Sequence, residues 1–302
     1  MSLYSISGAI ESGLLYGLLA LGLFISFRVM NTPDLTVDGS FTTGAAVSAI
    51  FTFNGMPILG LFFSMIAGML AGVISSLLHS KLKIPTVLAG ILTMTALYSV
   101  NLRIMNNQAY ISLIGKKNIF SYFSSLDKIP FGNIVLPLII TSIFVIILIV
   151  FFGSHIGLAV RATGDNPVMV RSSSINTNTT KTIALAISNG LVAMSGALVA
   201  QQQNYAEINM GTGAIVLGLA SLILGETLIM GRKSVVRNLI AAVIGAILFR
   251  LFTAFALRIN FNASDLKLLS ALVVTIVISL PLLKEKVAMK FKRKEGQIDV
   301  TA

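Results

Sequence analysis

Long apolar runs separated by short polar segments constrain this chain more than any other feature of its sequence. A transmembrane helix needs about 20 predominantly apolar residues. Only 11% of the 302 residues are charged, whereas a soluble domain uses about 25%. We therefore predict an all-α membrane protein with about nine transmembrane segments and a single membrane domain over 1–302, and we exclude a soluble enzyme. The runs lie near 7–28, 39–53, 56–79, 84–104, 134–153, 179–202, 212–231, 235–258 and 264–283.

The cations indicate how these segments are oriented. No cation precedes the first run and Arg28 closes it, so the positive-inside rule places the N-terminus outside and the C-terminus inside. The net charge of +11 then reflects orientation, together with a basic cytoplasmic tail, 284–302, that attracts anionic membrane lipid. Nucleic acid is not an expected partner, because that would need a basic face on a soluble fold. Of the 22 Lys and Arg residues, 15 become cytoplasmic: Arg28, Lys81, Lys83, Arg161, Arg171, Lys181, Arg232, Lys233, Arg237, Lys284, Lys286, Lys290, Lys292, Arg293 and Lys294.

Two glycine-rich segments differ from ordinary spans. The run 39–53 is only about 15 residues long, and 211–226 is similarly rich in small residues. Each predicts a short, re-entrant or broken helix, which a membrane tolerates only where protein buries it. The order of a span, a glycine-rich segment and two further spans occurs over 7–104 and again over 179–283, in opposite directions. We therefore predict an inverted internal repeat, which is typical of transporters.

Small residues in the two glycine-rich segments are candidates for positions next to a pore. Their inverted placement would bring both segments toward a translocation path. Small side chains also let helix backbones approach closely, so packing alone is the alternative, and it predicts burial equally well. The pore-adjacent candidates are Gly44, Ala45, Ser48, Gly218 and Ser221.

The loop at about 154–178 contains the start of a short helix. Asn166 is a suitable N-cap and Pro167 suits the first helical position. The apolar residues 168–170 follow directly, between Arg161 and Arg171. An exposed apolar cluster of this kind indicates a docking partner, and a helix lying on lipid headgroups is the alternative.

Three motifs resemble the permease subunits of bacterial ABC importers in the branched-chain amino acid and ribose permease group. They are G-x-x-x-R-A-x-G-D-N-P from Gly157, A-M-S-G-A-L from Ala193 and G-L-A-S-L-I-L-G-E from Gly218. The stretch 31–40 is similar to a narrower subgroup that occurs with binding proteins for aromatic amino acids. The resemblance implies that the loop helix is a coupling helix that contacts an ATP-binding subunit. Its implied contact residues are Gly164, Asp165, Asn166, Pro167, Val168, Met169 and Arg171.

The same resemblance implies a multi-pass permease of the bacterial cytoplasmic membrane. Its pore would carry a small organic solute delivered by an external binding protein. The resemblance to the narrower subgroup implies that this solute is an aromatic amino acid. ATP and Mg²⁺ would bind the partner ATPase, because this chain lacks G-x-x-x-x-G-K-[ST]. We predict no cofactor, catalytic residue or metal site in this chain. Two grooves in an ATPase dimer require two coupling helices, so a homodimer is expected, with a heterodimer left open.

An ion-coupled secondary transporter is the alternative function, because inverted repeats occur there as well. Such coupling usually needs carboxylates near the middle of the membrane. The apolar runs offer only Glu11 and Glu226, and neither is clearly central. Arg250 is the deepest cation and is expected to face protein, water or one of those two carboxylates.

Single cysteines test the predicted orientation, because the native chain contains none. In intact cells, Lys117→Cys should react with a membrane-impermeant maleimide and Arg171→Cys should react only after the cells are permeabilised. The reverse pattern would overturn the assignment of inside and outside.

Overall fold

The computed structural model describes residues 3–123, 132–229 and 234–258, together with the single residues 268, 271, 275 and 279. These residues are predominantly helical. The elements are α1 (Leu3–Leu23, continued by a π-helical stretch Phe24–Val29), α2 (Thr36–Phe53), α3 (Pro57–Ser80), α4 (Thr86–Ile104), β1 (Tyr110–Ser112), a 3₁₀ turn (Phe120–Phe123), α5 (Gly132–Gly153), α6 (His155–Asp165), α7 (Pro167–Ser172), α8 (Thr177–Gln203), β2 (Tyr205–Glu207), α9 (Ala214–Leu228) and α10 (Val235–Arg258).

Among the described residues, six helices are long and apolar enough to cross a membrane. They are α1 with its π-helical continuation, α3, α4, α5, α8 and α10. The predicted runs 39–53 and 212–231 form α2 and α9, which have 18 and 15 residues. Both are short, as predicted, but each is one continuous helix and not a broken one. The last predicted run, 264–283, lies almost wholly outside the described residues, so nine segments and their orientation remain predictions.

A small antiparallel sheet shows that the fold is not exclusively helical. Strand β1 follows α4 and pairs with β2, which follows α8, so that Ile111 lies opposite Ala206. The rings of Tyr110 and Tyr205 stack with centroids 5.5 Å apart. The all-α prediction was wrong in this detail, because strands of three residues carry no usable periodicity, and only the fold brings their unpaired backbone groups together. We call this end of the bundle the sheet end, and the opposite end the α7 end.

Helix α8 forms the centre of the bundle. It packs against α1, α2 and α3, and its middle and C-terminal parts are almost wholly buried. Glycines place neighbouring backbones in direct contact with it: a Cβ on Gly44 would overlap the carbonyl of Ala193, and one on Gly72 would overlap that of Leu185. Close approach of this kind maximises van der Waals contact where no water drives association.

Three of the four predicted members of each half of the repeat, α1–α3 and α8–α10, have equivalent contacts, whereas the fourth member of the second half lies outside the described residues. Helix α2 runs parallel to α8 and α3 runs antiparallel to it, while α9 runs parallel to α1 and α10 runs antiparallel to it. Helices α1 and α8 are themselves antiparallel. Helices α1, α2 and α3 therefore correspond to α8, α9 and α10. The two sets make the same contacts but run in opposite directions, which is the geometry of an inverted repeat. The defining pairs are Ser40–Asn189, Ser48–Ala197, Pro57–Gln201, Gly72–Leu185, Leu19–Gly218, Arg28–Glu226, Gly13–Ile247, Gly17–Val243, Leu15–Ser195 and Gly22–Ser188.

Gly44→Ala tests the importance of the α2–α8 contact. The added methyl group has no space against the Ala193 carbonyl, so it should cost about 1–3 kcal/mol and lower the midpoint of thermal aggregation in detergent. Gly8→Ala in α1 is the matched control, because a Cβ there meets nothing within 4 Å and alanine favours a helix. Equal midpoints for the two variants would contradict the proposed tight packing.

Candidate functional site

Helix α7 presents two apolar side chains at the surface. Asn166 caps it as predicted, because its side-chain oxygen accepts hydrogen bonds from the backbone N–H groups of Val168 and Met169, both at 3.1 Å. Pro167 is the first helical residue. Val168 is 74% exposed and Met169 67%. Val170 is buried instead, which corrects the predicted three-residue cluster: successive helical residues point about 100° apart, so three in a row do not share one face.

Several contacts fix α7 to the bundle. Gly164, just before it, lies so close to the end of the π-helical stretch that a Cβ would overlap the carbonyl of Val29. Near the end of α7, the Nε of Arg171 donates a hydrogen bond of 2.9 Å to the hydroxyl of Thr177, the first residue of α8. The helix that carries the apolar pair therefore contacts the end of the π-helical continuation of α1 and the start of α8.

An ion pair joins the two halves of the repeat at the α7 end. Arg28 in the π-helical stretch pairs with Glu226 near the end of α9, beside Arg161 and Asp165. Both side chains are partly exposed. Glu226 therefore lies near the surface of the bundle, and it pairs with Arg28 and not with Arg250.

The other two charges singled out in the sequence have separate environments. Glu11 accepts a hydrogen bond of 2.6 Å from the amide of Asn133 in α5. The guanidinium carbon of Arg250 lies 3.7 Å from the ring centroid of Tyr16. A cation–π contact in an apolar site stabilises the charge by about 2 kcal/mol. Arg250 therefore faces protein, as one of the sequence-based alternatives allowed.

Two further carboxylates lie in the middle of the bundle: Asp34, which is buried, and Asp38, which is half-buried. Asp34 is 1% exposed. It accepts a 3.0 Å hydrogen bond from the backbone N–H of Thr36, and a 2.7 Å bond from the amide of Asn189. Asn189 lies halfway along α8, so this network lies at mid-depth. The prediction that Glu11 and Glu226 are the only carboxylates in the membrane was wrong, because residues 31–38 are polar and contain no apolar run, yet pack inside the bundle.

Asp38 caps the start of α9, as Asp34 does for α2. Its two carboxylate oxygens accept hydrogen bonds from the backbone N–H groups of Gly213 and Ile215, at 3.0 and 2.9 Å. These donors belong to the first turn of α9, where backbone N–H groups have no partner within the helix and the helix dipole favours negative charge. Each short helix of the repeat thus begins at an aspartate: α2 at the buried Asp34 and α9 at the half-buried Asp38.

A pocket of about 290 Å³ adjoins Asp38. It is formed by α2, α4 and the segment after β2, and Asn101 in its wall is 1% exposed. The amide nitrogen of Asn101 donates to the carbonyl of Gly39, whereas its amide oxygen has no hydrogen-bond partner. The lining residues are Asp38, Gly39, Thr42, Met94, Thr95, Tyr98, Asn101, Ile208, Asn209 and Thr212.

The pore-adjacent candidates lie inside helix contacts. Gly44, Ala45 and Ser48 in α2 are buried, as are Gly218 and Ser221 in α9. None of the five lines the pocket beside Asp38. Burial is what both a pore and plain packing require, so their role in a pore remains a prediction.

Comparison with known proteins identifies the family. Residues 5–279 match the family described as "Branched-chain amino acid transport system / permease component". The chain belongs to this family. It is thus a multi-pass permease of the bacterial cytoplasmic membrane, belonging to the ABC import type, and its family places it among transport subunits rather than enzymes.

Two curated relatives cover most of the chain. A tyrosine transport system permease protein of Clostridioides difficile is 36% identical over 89% of this chain and 88% of its own length. The uncharacterized protein RP368 of Rickettsia prowazekii is 33% identical over 90% and 95%. A ribose import permease protein of Haemophilus influenzae is more distant, at 27% identity over 70% and 66%.

A solved structure has the same fold. The structure titled "PsaBC from Streptococcus pneumoniae in complex with Fab" matches with a TM-score of 0.54 and 13% identity, over 90% of this chain and 89% of that chain. At this identity, the likeness describes the fold alone.

Asn189→Leu tests the central carboxylate network. The variant removes the donor to Asp34 and leaves a buried carboxylate short of one hydrogen bond, at a cost of about 1.5–3 kcal/mol. The midpoint of thermal aggregation should fall clearly below that of the native chain. Asp34→Asn added to Asn189→Leu should recover part of the loss, because no buried charge then remains. An additive loss in the double variant would contradict the network.

Proposed function

We propose that this chain is the pore-forming permease subunit of an ATP-driven importer for a small organic solute, with an aromatic amino acid as the leading candidate. An external binding protein delivers the solute, and a separate subunit hydrolyses ATP. The main support is a relative of 36% identity over 89% of the chain whose name assigns it to tyrosine transport. The family match over residues 5–279 supports the same type of system.

The proposed coupling element is α7 with the residues before it. Val168 and Met169 form an exposed apolar pair of the kind that marks a docking surface. The cap at Asn166 fixes their direction, and Gly164 and Arg171 tie the helix to α1 and α8. In this proposal the pair inserts into a groove of the ATPase, with Asp165 and Pro167 completing the contact.

Force applied to α7 has a short path into the bundle. The Gly164 contact leads to the π-helical stretch, where Arg28 pairs with Glu226 in α9. The Thr177 contact leads to α8. Helices α1 and α8 are the equivalent central helices of the repeat, so a displacement of α7 acts on both halves together.

The proposed assembly contains two copies of this chain. An ATPase dimer offers two equivalent grooves, and two copies related by a two-fold axis fill both and enclose a pore between them. The small residues of α2 and α9 then keep the helix packing beside that pore close, as predicted for Gly44, Ala45, Ser48, Gly218 and Ser221.

The central carboxylates give the ion-coupled alternative one argument, because Asp34 is buried and Asp38 half-buried at mid-depth. A proton carrier must, however, be released from its partners during each cycle. Asp34 is engaged by a backbone N–H and by Asn189, and Asp38 by two N–H groups of α9. These hydrogen bonds hold the starts of α2 and α9 and would be lost if either carboxylate were released, so they favour a structural role and ATP as the energy source.

Met169→Asp tests the coupling helix. A carboxylate in the proposed apolar groove would be desolvated without a partner, which costs several kcal/mol, so ATP-driven uptake into proteoliposomes should fall at least tenfold. Met169→Leu, which preserves the apolar surface, should retain nearly native uptake. Uptake by Met169→Asp equal to that of Met169→Leu, with the ATPase still bound, would contradict the docking proposal.

The same proteoliposomes separate the two energy sources. With the ATPase and binding protein present, uptake should require internal ATP on the ATPase side and persist when proton and sodium gradients are collapsed. Uptake that follows an ion gradient without ATP would establish the secondary transporter instead.

A further inference from the structure

The pocket beside Asp38 lies in the middle of the bundle. Gly39 contacts Met94, which is near the centre of α4, and the adjacent Ser40 donates a hydrogen bond to Asn189, at the centre of α8. The pocket is therefore at mid-depth between the sheet end and the α7 end. Its volume of about 290 Å³ is at the small end of the range for ligand sites, about 300–1,000 Å³.

The polar groups of the pocket favour a ligand that donates hydrogen bonds or carries positive charge. The buried amide oxygen of Asn101 has no partner, and an unpaired buried acceptor costs about 1–3 kcal/mol until a donor reaches it. Asp38 contributes a carboxylate, and none of the residues that line this pocket is a cation. An ammonium group pairs with the Asp38 carboxylate, and it pairs with the Asn101 oxygen once that amide turns toward the pocket, because the oxygen itself is fully buried.

The remaining wall of the pocket is apolar and aromatic. Met94, Tyr98 and Ile208 form it, and Tyr98 is 48% exposed, so its ring is available for stacking. Aromatic pairs contribute about 0.5–1.5 kcal/mol beyond the area they bury. Thr212 and Asn209 at the rim carry donors for a carboxylate.

The exposed face around the pocket is more polar than the exposed face of α5, although Leu92 and Val100 are exposed beside it. On α5 the exposed side chains are branched aliphatic residues such as Ile143, Ile146 and Val150, as expected for contact with lipid. In the second half of α4, by contrast, exposed positions include Thr95, Tyr98 and Ser99. Polar groups within a membrane domain usually face protein or a water-filled path.

We propose that this pocket is a subsite that the solute occupies during translocation, and that it takes small amines and amino acids with an aromatic or large apolar side chain. The ammonium group contacts Asn101 and Asp38, and the ring lies against Tyr98. This inference rests on the proposed function, because it places the solute of that importer at a defined point of its path.

Protection of a single cysteine tests occupancy directly. Thr95→Cys introduces a thiol in the pocket wall of a chain that has no other cysteine. L-tyrosine or tyramine is added to the assembled transporter at about 10 times its half-saturating concentration or more. Either compound should slow the reaction of the introduced thiol with a small methanethiosulfonate at least threefold. The analogue 3-(4-hydroxyphenyl)propionate lacks the ammonium group and should not slow it. Tyr122→Cys in the exposed 3₁₀ turn is the control and should react at one rate in all solutions.

Two variants of the pocket test selectivity. Tyr98→Ala should lower the ratio of L-tyrosine to L-leucine uptake at least fivefold, whereas Tyr122→Ala, which removes a similarly exposed tyrosine elsewhere, should leave the ratio unchanged. A structural loss would reduce the uptake of both amino acids together.

The outcomes distinguish this inference from the proposed function. Native ATP-driven uptake with no protection of Thr95→Cys by either amine would overturn the subsite and leave the importer intact. Absence of ATP-driven uptake of any solute would overturn the proposed function. Protection by tyramine without transport of L-tyrosine would support the subsite and contradict the aromatic amino acid as the transported solute.

Discussion

Backbone groups inside a membrane must find hydrogen-bond partners within the protein. The fold depends on the side chains that supply these partners at the starts of α2 and α9, two helices that begin at mid-depth. Asp34 caps the start of α2 and is held by Asn189 of α8. Asp38, in the first turn of α2, caps α9. Since each carboxylate binds N–H groups at a helix start, the chain is allowed two helices too short to span. Their meeting point creates the central pocket beside Asp38, which a bundle of full-length spans would fill with apolar side chains.

The sequence predicted the parts of the fold that depend on periodicity and local chemistry. The runs 56–79 and 235–258 match α3 and α10 to within one residue at either end, and Asn166 and Pro167 start α7 as their capping preferences require. The glycine pattern revealed the repeat because close backbone contacts recur at equivalent positions of both halves. Gly60 of α3 and Gly245 of α10, for example, each lie against a backbone carbonyl of the short helix before them, that of Ser48 in α2 and that of Ser221 in α9.

Features that depend on long-range contacts were not predictable in this way. The stretch around Asp34 has no apolar run, so its burial follows only from packing against α8, although an aspartate two residues before a helix was a usable capping signal. The pairing of Arg28 with Glu226 joins positions 198 residues apart. The sequence does not decide whether Arg250 faces protein, water or a carboxylate. In the fold, its guanidinium group lies on the ring of Tyr16. The burial of Val170 could not be predicted, because it depends on which face of α7 points inward, and a helix of six residues is too short to reveal a buried face from its sequence.

The central claim is that α7 transmits ATP-driven motion to a bundle whose solute path passes the capped helix starts. A cryo-EM structure of this chain with its ATPase and binding protein in lipid nanodiscs would test it most directly. The account predicts two copies of the chain, with Val168 and Met169 of each seated in an ATPase groove. A structure in which those two side chains contact lipid headgroups, while another segment fills the grooves, would contradict it.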